Sequence, residues 1–469
     1  MNLSQYRHIY FLGIGGIGMS AIARWFLAKG FEVAGYDRTP TPLTQKLIEE
    51  GAQIHFEDDV NLIPASFLEN KAKTLVVLTP AVPANHTERQ YLQEQGYTIM
   101  KRSQVLGLLT ADQYLIAVAG THGKTTTSSM VAHLLQHANV STSAFLGGIS
   151  TNLGSNLLLP HEEEERALAV VEADEFDRSF LTLHPDIAIV TSTDPDHLDI
   201  YGEKEALVES FKQFVSQIKP NGFLLLNHTA DQSLKTSVHP SVQVITYGLE
   251  HEELAAGPIK IADGSMKFSA KGRNFALPET ALQVPGFHNV ENAVAAAQAV
   301  SLVGLTPYQI QKGIEAYNGV KRRFERVWGK NGKVYLDDYA HHPREIEAFL
   351  KSVRALYPAQ KLRVIFQPHL FTRTRDFLDG FAESLSLADE VWLLDIYPAR
   401  ELPIEGVTSE LIYHKIEGPV KRILHKKDVL PALEKDLDFA VLATVGAGDI
   451  DTLVPGIKHL LEERAHVLE

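Results

Sequence analysis

Tyr114-Leu-Ile-Ala-Val-Ala119, followed by Gly120-Thr121-His122-Gly123-Lys124-Thr125-Thr126-Thr127, is the stretch that decides the fold. Its first part is a short apolar run closed by a glycine, which is how a buried strand of a parallel sheet reads. Thr126 to Gln136 then reads as a helix. Strand, glycine turn, Lys-Thr and helix together predict a phosphate cradle. The backbone N–H groups of the turn face the anion and the helix N-terminus adds partial positive charge. Lys124 adds a full charge, and Thr125 offers a hydroxyl to Mg²⁺. The turn is Gly-x-x-Gly-Lys-Thr, shorter than the common Gly-x-x-x-x-Gly-Lys-Thr, which would require glycine where Val118 stands. The competing reading is a strand–helix turn with a surface lysine.

Outward from this stretch, 469 residues are too many for a single core and suggest about three domains. Apolar residues make up 45% and charged residues 22%, the balance of a soluble globular chain. A net charge of −14 disfavours nucleic-acid binding by bulk electrostatics, so a small anionic ligand has to be held by local N–H groups and individual cations. The absence of cysteine excludes disulfides and thiolate metal sites and fits a cytoplasmic protein. No apolar run approaches the roughly 20 residues of a membrane span. The N-terminal apolar run leads straight into a glycine turn, unlike a secretory signal.

That N-terminal run, His8 to Leu12, reads as a strand. Gly13-Ile-Gly15-Gly16-Ile-Gly18 follows, then a helix from about Met19 to Lys29 and a strand from Phe31 to Tyr36 that ends at Asp37. This is Gly-x-Gly-x-x-Gly in a βαβ unit with an acid 24 residues past the first glycine. The pattern seats a pyrophosphate on the turn and ribose hydroxyls on the acid. NAD(P) and a UDP-sugar fit it equally well. Leu75 to Thr79 is a further strand before the turn Pro80-Ala-Val-Pro83, and the first domain is expected to end near Gly107.

In the second domain, strands at Ala167–Val171 and Ile187–Thr191 deliver Glu172-Ala-Asp174-Glu175-Phe-Asp177 and Thr193-Asp194-Pro-Asp196-His197-Leu-Asp199. Carboxylates and a histidine at strand ends beside a phosphate loop suit Mg²⁺ on a nucleotide, though solvated acidic loops collect there too. His161-Glu-Glu-Glu-Glu-Arg166 reads as a solvated loop. Gly222–Asn227 and Gln243–Tyr247 read as strands, and Lys260–Pro278 as antiparallel hairpins. Asn289 and Asn292 lie three apart on the first turn of a helix, positioned to read a base or ribose or simply to cap it.

Arg322-Arg323-Phe324 leads into a third set of alternating strands and helices, predicting a third parallel sheet. Its strands end at Asp337-Asp338-Tyr339-Ala-His341-His342-Pro343, Gln367-Pro-His369-Leu370-Phe-Thr-Arg373 and Gly446-Ala-Gly448-Asp449. Three histidines on separate loops without cysteine make a poor zinc set.

In order and spacing these motifs make the chain resemble the Mur ligase family, the ATP-dependent amide-forming enzymes of peptidoglycan synthesis. The resemblance spans the whole chain. It rests on Gly13-Ile-Gly-Gly-Ile-Gly-Met-Ser20, Gly120–Thr127, Glu172–Glu175, Asp196-His197, His288-Asn289 with Asn292, Arg322–Phe324, Asp337–Pro343 and Phe366–Asp376. It implies an α/β protein of three domains: a Rossmann-like UDP-sugar domain (1–107), a central P-loop ATPase-type parallel sheet with antiparallel hairpins (108–319), and a Rossmann-like amino-acid domain (320–469).

It further implies ATP, Mg²⁺, UDP-N-acetylmuramate and L-alanine as ligands, in a monomer or homodimer. Gly13, Gly15, Gly16, Gly18, Met19, Ser20, Asp37 and Thr79 would seat the UDP-sugar. Gly120, Thr121, His122, Gly123, Lys124, Thr125, Thr126, Asn289 and Asn292 would hold ATP, with Arg323 and Asp338 reaching it from the third domain. Thr125, Glu172 and His197 would serve the metal, and His341 and Arg373 the amino acid; Lys124, His197, Arg323, Asp338 and His341 would carry the chemistry. The chain departs from the family pattern at Leu370, where an arginine would help bind the amino-acid carboxylate. Lys212, at the spacing of a modified lysine in some relatives, is read as a surface helix lysine. A ligase attaching recycled tripeptide to the same UDP-sugar and, more distantly, an NAD-dependent dehydrogenase are the alternatives.

Overall fold

The computed structural model describes residues 3–161, 167–194, 204–250, 253–262, 265–272, 274–399 and 401–467. It is an α/β protein built on three sheets. The first runs in the order β3-β2-β1-β4-β5, all parallel: β1 His8–Leu12, β2 Glu32–Tyr36, β3 Gln53–His55, β4 Thr74–Leu78 and β5 Thr98–Lys101. The order reverses at β1, so the crevice lies past its carboxyl end, where the Gly13–Gly18 turn leads into the helix Ile17–Ala28. Every residue of β1 is buried, which explains the apolar run that follows His8.

The central sheet is assembled around β6, Tyr114–Ala119, the strand read from the opening stretch. Parallel partners flank β6 on both sides: β9 Leu168–Glu172 and β10 Ile187–Val190. Beyond β9 come β7 Thr142–Ser150 and β8 Ser155–Leu158, and beyond β10 come β11 Phe223–Asn227, β12 Gln243–Gly248 and β13 Leu254–Ala256. Of the hairpin strands β14 Lys260–Ala262, β15 Ser265–Gly272 and β16 Phe275–Leu282, β15 runs antiparallel to β13 and β14, as the glycine-broken alternation predicts, and β16 pairs with β15. The third sheet has the order β17-β18-β22-β19-β20-β21: β17 Glu325–Lys330, β18 Lys333–Asp338, β19 Leu362–Phe366, β20 Glu390–Leu393, β21 Val420–Ile423 and β22 Val441–Val445. Only the β17–β18 pair is antiparallel in it.

Three sheets fold into two compact units. One holds Met1–Gly257, Ser269–Pro278 and Glu291–Ala316; the other holds Pro258–Phe268, Glu279–Val290 and Tyr317–Glu469. The first two sheets share a unit because one continuous apolar core runs from Phe11 and Phe26 to Phe180, Phe211 and Phe214. Gly107 lies inside the helix Arg102–Thr110, where a β-carbon would come 2.6 Å from the Thr182 carbonyl oxygen, so this helix is packed tightly against the central part. The run 162–166 and the segment 195–203, with Asp196, His197 and Asp199, lie outside the described residues. No described helix is long and apolar enough to cross a membrane.

Candidate active site

The Gly120–Lys124 turn sits at the carboxyl end of β6 and opens the helix Lys124–His137. Gly120 (φ +134°) and Gly123 (φ +81°) have left-handed backbones that side chains disfavour. The turn is pinned from β10: Thr191 Oγ1 donates to the carbonyls of Ala119 and His122, and the His122 N–H donates to Ser192 Oγ at 2.9 Å. Thr121 and Ser192 hydroxyls lie 2.7 Å apart. Asn292 crowds the same turn, since a β-carbon on Gly123 would meet its Oδ1 at 2.9 Å. Asn292 therefore stands beside the cradle. Asn289, one turn earlier on the helix Phe287–Leu302, donates through Nδ2 to the Pro285 carbonyl.

Lys124 Nζ donates to the Gly120 carbonyl at 2.6 Å and to Glu175 at 2.9 Å. Burial works against its charge, but Glu175, Asp174 and Glu172 outweigh burial and hold the ammonium above the usual lysine range. Glu172, at the end of β9, accepts from the Gly147 N–H at 3.0 Å, and a side chain at 147 would collide with it. The hydroxyl of Thr125 and the carboxylate of Glu172 are hard oxygen donors of the kind Mg²⁺ prefers. His197 lies outside the described residues. Lys212 sits on the helix Lys204–Ser216, 3.7 Å from Glu209, with its side chain 34% exposed.

At the first glycine turn, Gly13 (φ +87°) packs against Thr79, and the Gly15 N–H donates to Asp37 Oδ2 at 2.7 Å. Asp37 thus closes onto the turn it was expected to serve. Met19 and Ser20 are buried, and the Ser20 hydroxyl is committed to the Ile17 carbonyl and to Asn156 Nδ2.

In the second unit, Arg322 and Arg323 lie over the Tyr339 ring at 5.2 and 4.9 Å. The buried Asp338 accepts from the Phe324 N–H at 2.6 Å and the Ala340 N–H at 2.8 Å. Burial lifts its pKa to about 6 against the pull of Arg323 and these N–H groups. His341 follows on the same loop, its Nδ1 3.0 Å from the Tyr339 carbonyl and its ring 5.9 Å from that of His369. His342 turns away to cap the helix Pro343–Leu356. Arg373 lies on the short helix Phe371–Asp376, which begins after Leu370 (φ +72°) and is tied by Thr372 to Glu401. The loop ends of β18 and β19 are therefore neighbours, which brings His341 to the segment that carries Arg373.

Three family models match in chain order: the Mur ligase family catalytic domain over residues 8–114, the middle domain over 118–300, and the glutamate ligase domain over 322–450. The chain belongs to the Mur ligase family. A UDP-N-acetylmuramate–L-alanine ligase of Phocaeicola vulgatus is 50% identical over 465 residues, covering 99% of this chain and 100% of that one. The crystal structure of a UDP-N-acetylmuramate–alanine ligase from Thermotoga maritima superposes with a TM-score of 0.81 at 28% identity, covering 97% of this chain and 99% of that one. A murein peptide ligase from Psychrobacter arcticus shares the fold, with a TM-score of 0.68 at 24% identity over 98% of each chain.

Some residues of this Mur ligase site escaped sequence reasoning. Glu175 was visible only as one acid of a run; its ion pair with Lys124 joins positions 51 apart. Ser192 and Thr191 carry no motif, yet they fix the cradle from the neighbouring strand. Glu401 was not singled out at all, and its contact with Thr372 is a loop-to-loop meeting that no local pattern announces.

Proposed function

We infer that this Mur ligase joins L-alanine to the carboxylate of UDP-N-acetylmuramate, converting ATP to ADP and phosphate. The observation that carries the reading is the lysine-bearing glycine turn on β6, in a chain that matches alanine-adding ligases end to end. A dehydrogenase using the first glycine turn would leave Lys124 and its cradle without a task.

Forming an amide from a carboxylate in water is uphill, so the carboxylate must be activated. A muramate carboxylate oxygen attacks the γ-phosphorus, ADP departs, and an acyl phosphate forms. The two anions repel, and Lys124 with Arg323 offsets that repulsion; such transfer is mainly positioning and electrostatics. Mg²⁺, held by Thr125, Glu172 and His197, would supply further neutralisation of phosphate charge. The neutral amine of L-alanine then adds to the acyl carbon, loses a proton, and phosphate leaves as the amide forms. His341 is assigned to orient or deprotonate that amine, and Arg373 to hold the alanine carboxylate. Asn289, Asn292 and Asp338 are assigned to the nucleotide, and the Gly13–Gly18 turn with Asp37 and Thr79 to the UDP-sugar.

We assign residues 1–107 to the UDP-sugar domain, 108–319 to the ATP domain and 320–469 to the amino-acid domain, in a cytoplasmic enzyme acting as monomer or homodimer. The experiment is ADP release by the purified protein with UDP-N-acetylmuramate and ATP. L-alanine is expected to drive it and recycled tripeptide not; the reverse preference would overturn the assignment.

A further inference from the structure

The last glycine of the first turn, Gly18, has a cationic neighbour. A β-carbon on Gly18 would lie 2.5 Å from Nη1 of Arg102. The guanidinium thus lies over the first turn of the helix Ile17–Ala28, whose N-cap is Gly16. A helix N-terminus carries about half a positive charge, so a cation placed there is repelled unless anionic charge also sits close by. Part of that charge is Asp174, whose Oδ2 accepts from Arg102 Nη2 at 3.1 Å. Nη1 faces the glycine turn and Nη2 faces the carboxylate, so one planar fork spans both.

Asp174 belongs to the loop that follows β9, and the next residue, Glu175, holds Lys124. Asp174 also contributes to the field that keeps Lys124 charged. The loop is bent by two left-handed residues, Asp177 (φ 52°) and Arg178 (φ 54°), a conformation that non-glycine residues disfavour. Lys101, adjacent to Arg102, grips Asp177 at 3.0 Å. Two consecutive cations of one sheet's rim and two acids of the other therefore fix the loop that also carries Glu175.

We propose that Arg102 is the phosphate-binding cation of the Gly13–Gly18 turn, oriented by Asp174, so that the loop Glu172–Arg178 holds the cations of both anion seats. This rests on the UDP-sugar reading of that turn. Arg102 contacts the pyrophosphate of the ligand through Nη1 while Asp174 keeps Nη2. Asp174 is a positioning residue, acting through the guanidinium.

Binding of UDP-N-acetylmuramate, UDP, uridine and ATP to the full chain, followed by calorimetry, tests this. Loss of a charge-assisted contact is expected to weaken UDP and UDP-N-acetylmuramate roughly 10- to 100-fold in Arg102→Ala. Uridine, which has no phosphate, and ATP are expected to change less than about twofold. Arg102→Lys, which keeps the charge but loses the fork, is expected to fall between, and covers the case in which the alanine variant fails to fold. Asp174→Asn is expected to weaken UDP by a smaller factor and leave uridine alone. Equal loss of UDP and uridine, or unchanged UDP affinity in both Arg102 variants, would overturn the proposal and leave a purely structural ion pair. If the unaltered chain binds ATP but no uridine nucleotide, the UDP-sugar reading itself is wrong.

Discussion

Lys124 Nζ lies 2.8 Å from Glu175 Oε2 and 2.9 Å from Oε1, and the Glu175 side chain has no solvent exposure. In the proposed reaction a triphosphate entering the cradle would take the ammonium from this carboxylate, with Glu175 keeping the lysine charged and within reach. Lys124→Ala is expected to lower kcat by at least about 100- to 1,000-fold, the scale of removing one preorganised electrostatic stabiliser. It also takes the ammonium away from a buried carboxylate, which is expected to lower stability. Adding Glu175→Gln to Lys124→Ala is expected to restore most of the melting temperature and none of the ligation. UDP-N-acetylmuramate affinity should stay nearly intact in both variants; equal loss of sugar-nucleotide and ATP binding would show that the labour is not divided as proposed.

Asp37 accepts the Gly15 N–H and the Thr39 N–H, so its carboxylate shapes the glycine turn. Asp37→Ala is expected to weaken UDP-N-acetylmuramate roughly tenfold or more by titration, through the lost ribose contact and the loosened turn together. ATP affinity should be unchanged. A selective loss of ATP binding would refute the assignment.

What the sequence made legible follows from physics that is local. β6 and β1 are central parallel strands and almost wholly buried, so each reads as a mostly apolar run, and their bounds were read to the residue. β3, three residues long at a sheet edge, and β7, interrupted by Gly147 and Gly148, carry no such run and went unread. Gly147 is glycine because Glu172 must approach its backbone, a tertiary reason invisible along the chain. The site divides the same way. Glycines and Lys124 announce themselves because the phosphate loop is one contiguous segment. Asp338 looks like a catalytic acid in sequence, whereas in the structure both its oxygens also tie Phe324 and Ala340 into place.

Glu88 supplies a pH test of the first sheet's far side. It is buried on the helix Thr87–Glu94, and the Tyr10 hydroxyl donates to it at 2.5 Å. Burial raises its pKa from 4.5 to about 7. The native state therefore holds the proton more tightly than the unfolded chain. The stabilisation is complete below pH 4.5 and is lost as pH rises through 7, a change of about 3 kcal/mol. His55 and His86 are kept neutral by burial and act in the opposite sense, losing stability as pH falls below their ordinary value of 6.5. Urea unfolding of the wild type and Glu88→Gln across pH 4–8 separates the two, because the difference between them isolates Glu88. A difference that does not vary with pH would show that Glu88 ionises normally.

Leu370 stands where the family pattern implies arginine, and its backbone is held at φ +72°, a region that favours glycine. The strain persists because the residue is clamped on both sides: its N–H donates to the Tyr397 carbonyl at 2.9 Å, and its carbonyl accepts from the Thr374 hydroxyl at 2.8 Å. Arginine is no harder to accommodate there than leucine, since both carry the same β-carbon. Leu370→Arg is therefore expected to fold normally and to place a second guanidinium at the head of the helix bearing Arg373. The KM for L-alanine should fall roughly tenfold, the worth of one charge-assisted contact to a carboxylate. Because the carboxylate is bound alike in ground and transition states, kcat should change little. Arg373→Ala should raise that KM by a comparable or larger factor, and Leu370→Arg should partly rescue it. Steady-state phosphate release against L-alanine concentration measures all three variants. Rescue failing while Leu370→Arg alone still lowers KM would mean that the two positions bind the carboxylate in different orientations; no effect at either position would move the alanine carboxylate away from this loop.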